Sequence, residues 1–146
     1  FGLACVADIT LACDNAFFAL PETGLGVIPA QIAPFVAMRI GVDHTKRLAL
    51  TGEKLNAQQA HNMGLVHEVC TTEKRHECIS KLLQKIKHCA PQANAATKRL
   101  LLELDNQPLE TLLDHAATLF VRSLSSAEGV EGTRAFIQKR QATWCE

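Results

Sequence analysis

Tyrosine is absent from this chain, tryptophan occurs once, and aromatic residues make up only 5% of the 146 positions. Little is left to build a stacking platform for single-stranded nucleic acid. An excess of one charge is missing too, since 15 Lys plus Arg balance 15 Asp plus Glu. No net field therefore draws the chain to nucleic acid or to an anionic membrane. No apolar run reaches the length of a bilayer span, because Asp8, Asp14, Glu22 and Arg39 interrupt the N-terminal half. A basic leader is lacking as well, so no signal peptide is read at Phe1, and the missing initiator Met leads us to expect residues upstream of it.

Cysteine is plentiful, but its frameworks are not. Cys5, Cys13, Cys70, Cys78, Cys89 and Cys145 contain no CxxC pair, and their gaps match neither a zinc site nor a disulfide scaffold. Such thiols read as small buried hydrophobes in a chain of the reducing cytoplasm. His61 and His67 are the closest histidines; they straddle a Gly-Leu turn with no acidic third ligand at helical spacing. No metal site is expected.

What is present is enough for a real core: 47% of residues are hydrophobic. The first thirty residues read as strand-strand or helix-then-strand material, with a strand-like segment at the very start. Ala7–Ala12 and Ala16–Leu20 are apolar, and Cys13-Asp14-Asn15 is a turn between them. Beyond Pro29 the periodicity turns helical. Pro34 opens a helix stopped by Gly41, Asp43 caps the next before Gly52, and Ala57–Met63 stops at Gly64. Leu65–Cys70 reads as a strand. Ile79, Leu82, Leu83 and Ile86 then mark one helical face, and Pro91 breaks that helix. Further helices are expected over 94–104, from Pro108 with Leu112, Leu113, Ala116, Leu119 and Phe120 on one face, and from Ser126 to Trp144.

Leu20-Pro21-Glu22-Thr23-Gly24-Leu25-Gly26-Val27-Ile28-Pro29 carries the chemistry. It sets one carboxylate in an almost wholly apolar run. Apolar surroundings raise a carboxyl pKa toward the range where it hands a proton back and forth near neutral pH. Pro21 fixes a backbone angle ahead of Glu22, and Gly24 and Gly26 let the chain turn after it.

Several stretches, taken in order, resemble the crotonase (enoyl-CoA hydratase/isomerase) superfamily. They are Ala7-Asp8-Ile9, the approach from Phe18 to Glu22, Gly24–Pro29, Arg39-Ile40-Gly41, Ala49–Glu53, Ala57–Ala60, Gly64–Val69, and Glu131–Phe136 followed by Lys139-Arg140. The resemblance covers the later part of that family's catalytic domain. It implies an α/β fold: the last turns of a strand-strand-helix spiral over 1–70, then a C-terminal helical region for trimerisation and coenzyme contact over 71–146. It also implies an acyl-CoA substrate, with coenzyme A part of the substrate and no separate cofactor, and a homotrimer or hexamer without nucleic acid or membrane partners.

Glu22 matches the second of the family's two glutamates, and the resemblance makes it the general acid/base. Phe120 and Lys139 match positions that contact coenzyme A, at the adenine and near the phosphates. The first glutamate falls on Gly2, which has no side chain to activate water. Gly2 and the Ala30-Gln31-Ile32-Ala33-Pro34-Phe35 segment resemble the branch that hydrates methylglutaconyl- and isohexenylglutaconyl-CoA. Phe120 also reads as plain helix core, Lys139 as a solvated charge, and Gln31 and Pro34 as a helix start. Asp8 reads as structural. Three readings stay open: a hydratase whose substrate carboxylate or another side chain shares the work, an isomerase that needs one glutamate, and a non-catalytic crotonase-like fragment. The oxyanion-hole donors implied by the family lie before Phe1, so the chain alone is expected to be inactive.

Overall fold

Gly2–Val6 forms a short helix, α1, where the sequence suggested a strand. A five-residue apolar run fits either element. Here only Cys5 is buried, as on one face of a helix, and Thr10 Oγ1 donates to the Ala4 carbonyl at 2.9 Å, folding the chain back on itself. The structure, a computed structural model, describes residues 1–145. It divides into two units, Phe1–Ile79 and Ser80–Glu146.

The first unit holds two small sheets. β1 (Leu11–Cys13) pairs in parallel with β4 (Glu68–Cys70), and β2 (Phe17–Phe18) pairs antiparallel with β3 (Leu55–Asn56). The turn from β1 to β2 closes where the Ala16 N–H donates to the Cys13 carbonyl at 2.9 Å. Between β2 and β3 come a 3₁₀ turn at Glu22–Leu25 and two helices, α2 (Ala33–Ile40) and α3 (Val42–Thr51). Pro34 lies in the first turn of α2, as its missing N–H allows. Gly41, not Asp43, is the N-cap of α3; Asp43 sits in the first turn, where its charge favours the helix dipole. Asn56 and Gln59 form a reciprocal capping box at the start of α4 (Ala57–Asn62), at 2.8 and 2.9 Å.

Leu20, Val36, Leu48, Leu55, Leu65 and Val66 fill the core of this unit. They come from five separate segments, so burial of the small sheets rests on the helices packed around them. Each such side chain contributes about 1.5–3 kcal/mol by leaving water. The crossing from the first unit runs along α5 (Arg75–Lys87).

The second unit is helical: the rest of α5, then α6 (Pro91–Leu102), α7 (Leu109–Leu124) and α8 (Ala127–Ile137). The final helix is shorter than the sequence suggested. It ends at Ile137 with Gln138 as its C-cap, and Lys139 takes a left-handed φ of 52°. The Lys139 N–H donates to the Phe136 carbonyl and the Arg140 N–H to the Ala135 carbonyl, both at 3.1 Å, a Schellman stop with Lys where Gly is usual. On α7 only Leu112 is buried, and Phe120 is 68% exposed instead of packed in a helix core.

Candidate active site

Glu22 opens the 3₁₀ turn, directly after Pro21 and fully buried Leu20. Leu20 anchors one side in the core. On the other side Gly26, at φ 75°, ends the turn and donates its N–H to the Thr23 carbonyl at 3.1 Å. The Val27 N–H returns to the Glu22 carbonyl at 3.2 Å. Only a glycine adopts that φ without strain, which explains the Gly following Leu25.

α3 holds the turn in place. Thr23 Oγ1 donates to the Ala49 carbonyl at 2.6 Å, and the β-carbon position of Gly52, the left-handed cap of α3, lies 3.8 Å from Pro21 Cα. Thr23 is the side chain that ties the Glu22 turn to a helix. The Glu22 carboxylate is half-buried, and its Oε2 is shielded from solvent without a hydrogen-bond partner in the protein. A buried carboxylate oxygen left without a donor is costly, and such groups concentrate where a substrate proton is handled.

Gly2 begins α1, and the space that a β-carbon there would fill is taken by Ile32 Cγ2. Ile32 is the N-cap of α2. The residue that matters in the Ala30–Phe35 segment is therefore Ile32 rather than Gln31 or Pro34, both of which are exposed. Only the contact between two distant positions shows this, and no local pattern announces it.

Arg39 and His67 form a separate, structural cluster. The Thr10 N–H donates to His67 Nδ1 at 3.0 Å, the His67 N–H donates to the Thr10 carbonyl at 2.9 Å, and Arg39 Nη2 lies 3.2 Å from the same ring nitrogen. An Nδ1 that accepts leaves the proton on Nε2. The pair fastens α2 to the approach to β4. Among the described residues, no group of three His, Cys, Asp or Glu is placed to hold a metal ion, and no helix is long and apolar enough to cross a membrane.

Glu22 belongs to the first unit; Phe120 and Lys139 belong to the second. Phe120 lines a groove of about 700 Å³ with Arg99, Arg122, Ser123, Thr133 and Trp144 among its walls. Lys139 stands outside those walls, exposed, in its left-handed conformation. Backbone strain at a non-glycine residue persists where the surroundings enforce it. Here Glu131 does so. Its carboxylate receives Arg140 Nη1 at 2.6 Å and Nη2 at 2.9 Å, and the Thr143 N–H at 3.1 Å. The Arg140 guanidinium holds the Glu131 carboxyl down at about 2.

Residues 1–146 match the family model described as enoyl-CoA hydratase/isomerase. The chain belongs to this family. Family members of known structure share its α/β crotonase fold. An enoyl-CoA hydratase/isomerase from Marinobacter aquaeolei superposes with a TM-score of 0.94 at 46% identity, over 99% of this chain and 55% of that one. Pseudomonas aeruginosa AtuE superposes with a TM-score of 0.96 at 46% identity, over 99% and 57%. The 2,3-dehydroadipyl-CoA hydratase of Escherichia coli is 32% identical over 139 residues, 94% of this chain and 54% of the relative. The carnitinyl-CoA dehydratase of Citrobacter koseri is 29% identical over 153 residues, 99% and 57%. The chain thus spans a little over half the length of these four relatives.

Proposed function

We propose that this chain carries the acid/base carboxylate of an acyl-CoA lyase that hydrates an enoyl-CoA thioester. Adding water across the conjugated double bond places oxygen on the carbon distal to the thioester and a proton on the carbon next to it. Glu22 is the general acid/base that moves the proton, while an oxyanion hole of backbone N–H groups holds the enolate oxygen. The observation that carries the reading is the Glu22 carboxylate itself: fixed by a braced 3₁₀ turn, with a buried oxygen that no protein donor satisfies. The test is replacement of Glu22 by Gln in the full-length protein, following loss of the conjugated thioester's absorbance.

The acyl group we assign is branched or glutaconyl-type. Gly2 supplies no second carboxylate, so a carboxylate on the substrate shares the work. One relative is named 2,3-dehydroadipyl-CoA hydratase, and an adipyl group, like a glutaconyl group, carries a second carboxylate. Phe120 and Lys139 contact the coenzyme at its adenine and phosphates. The apolar side chains left exposed on α7 and α8, Phe136 at 84% and Ile137 at 73% among them, support a homotrimer or hexamer, which we place in the cytoplasm.

The Gly2–Ile32 juxtaposition favours a second reading, a delta-isomerase in which Glu22 alone moves one proton between two carbons. A 3-enoyl-CoA substrate separates the two: isomerisation creates the conjugated thioester and hydration removes it.

A further inference from the structure

Two contacts from the end of α3 bracket Glu22, one on each neighbour. The β-carbon position of Gly52 lies 3.8 Å from Pro21 Cα, and Thr23 Oγ1 donates to the Ala49 carbonyl at 2.6 Å. The way α3 ends leaves that carbonyl open. The N–H of left-handed Gly52 goes to the Leu48 carbonyl at 2.9 Å. A helix stop closed by this single bond leaves the next carbonyl, that of Ala49, without an intrahelical donor. The Glu53 N–H, four residues on from Ala49, is diverted: it donates to Thr51 Oγ1 at 3.3 Å. Thr51 Oγ1 in turn donates to the Arg47 carbonyl at 2.7 Å. Arg47 Nε and Nη2 hold the two Glu53 carboxylate oxygens at 2.7 and 3.2 Å. Residues 51–53 are thus fastened back onto α3, and among the described residues no backbone N–H is left for Ala49.

We propose that Thr23 is a positioning residue for the Glu22 carboxylate, and that Thr51 supports it by keeping the Ala49 carbonyl free. This rests on the reading of Glu22 as the acid/base. Glu22 Oε2 has no hydrogen-bond partner in the protein to fix the side chain, so the backbone of the 3₁₀ turn sets its place. The bonds inside the turn, such as Val27 N–H to the Glu22 carbonyl at 3.2 Å, fix its shape and not its station against the helix. Upstream, fully buried Leu20 anchors the chain. Downstream, residues 24–28 are all exposed, so the Thr23 hydroxyl is the anchor on that side. A displacement of about 1 Å at a reacting group costs about 10²-fold in rate.

The test is kinetic, on the full-length protein with an enoyl-CoA substrate. Thr23→Val keeps the side-chain shape and removes the donor. It is expected to lower kcat by about 10–10²-fold with KM little changed, and Thr23→Ser, which keeps the hydroxyl, to retain most of the rate. The solvent deuterium isotope effect on kcat is expected to rise in Thr23→Val, because a misplaced Glu22 slows the proton transfer itself. A smaller folded fraction would lower the rate and leave that ratio unchanged. Thr51→Val is expected to lower kcat in the parent and to cost nothing further in Thr23→Val, since both act through one bond.

A Thr23→Val protein with the parental kcat or isotope effect, a Thr23→Ser no faster than Thr23→Val, or fully additive losses from Thr23→Val and Thr51→Val overturn the proposal. Glu22→Gln is measured beside them. If it keeps its rate, the assignment of Glu22 fails and this inference falls with it. A slow Glu22→Gln beside a fast Thr23→Val overturns this inference alone. Urea midpoints confirm that each variant is folded; Thr23→Ala is the substitute if Thr23→Val is not.

Discussion

Ile32 Cγ2 occupies the position that a β-carbon on Gly2 would take, so α1 and the start of α2 are fitted to each other through a missing side chain. In an ordinary helix Gly→Ala stabilises by roughly 0.5–1 kcal/mol. Here Gly2→Ala meets Ile32, and overpacking of a fitted contact costs about 1–3 kcal/mol. Gly2→Ala is expected to lower the urea midpoint, and adding Ile32→Ala is expected to recover most of the loss. A Gly2→Ala protein as stable as the parent would mean that the two positions are not in contact. The same reasoning says that Gly2→Glu alone cannot restore a second carboxylate, because Ile32 fills the space it needs.

Lys139 sits at the left-handed stop of α8. A side chain in this conformation costs about 1–2 kcal/mol that glycine avoids. Lys139→Gly is expected to raise the melting temperature and to weaken coenzyme A binding, measured by calorimetry. A higher melting temperature with unchanged affinity would make Lys139 a helix stop without a ligand.

Glu131 links stability to pH. Arg140 depresses its carboxyl pKa to about 2, from a usual value of 4.5. A depressed carboxyl contributes stability that is complete above the unfolded value and is lost as pH falls through the folded one. The C-terminal segment is therefore expected to loosen between about pH 4.5 and 2. The single tryptophan reports it. Trp144 packs on Gly132 and donates from Nε1 to the His88 carbonyl at 3.3 Å. Its emission is expected to shift to the red across that window, and Glu131→Gln to show the shifted spectrum already at neutral pH.

Glu128 caps a helix it does not belong to. Ala90, the N-cap of α6, offers no side chain, and the Glu128 carboxylate on α8 receives the Gln92 N–H at 3.0 Å and the Ala93 N–H at 3.2 Å. Loss of a cap costs about 1 kcal/mol, so Glu128→Ala is expected to lower stability by about that much in urea, with Glu128→Gln recovering part of it.

The sequence made some of this legible and not the rest, for physical reasons. Glycine stops at Gly41, Gly52 and Gly64 fall where expected, because positive φ restricts the residue type. The Pro21-Glu22 turn is visible for the same kind of reason. The α1 helix was hidden because a short apolar run carries no period. The early end of α8 was hidden because Lys139 takes a glycine's place, and only the Glu131–Arg140 pairing explains it. Phe120 shares a helical face with Leu112 and Leu113, yet of these three only Leu112 finds a neighbour that buries it. Ile32 escaped notice because its significance lies wholly in its contact with Gly2.

The most direct test is the rate of Glu22→Gln in the full-length protein on an enoyl-CoA substrate, measured beside its stability. Replacing a half-buried carboxylate whose shielded Oε2 has no partner with an amide leaves the hydrogen bonds that brace the turn in place. We expect unfolding unchanged or slightly harder, and turnover lower by about 10²–10⁴-fold, the usual worth of a general acid/base. A Glu22→Gln protein that folds and keeps its rate would contradict the assignment of Glu22 as the proton-transfer group.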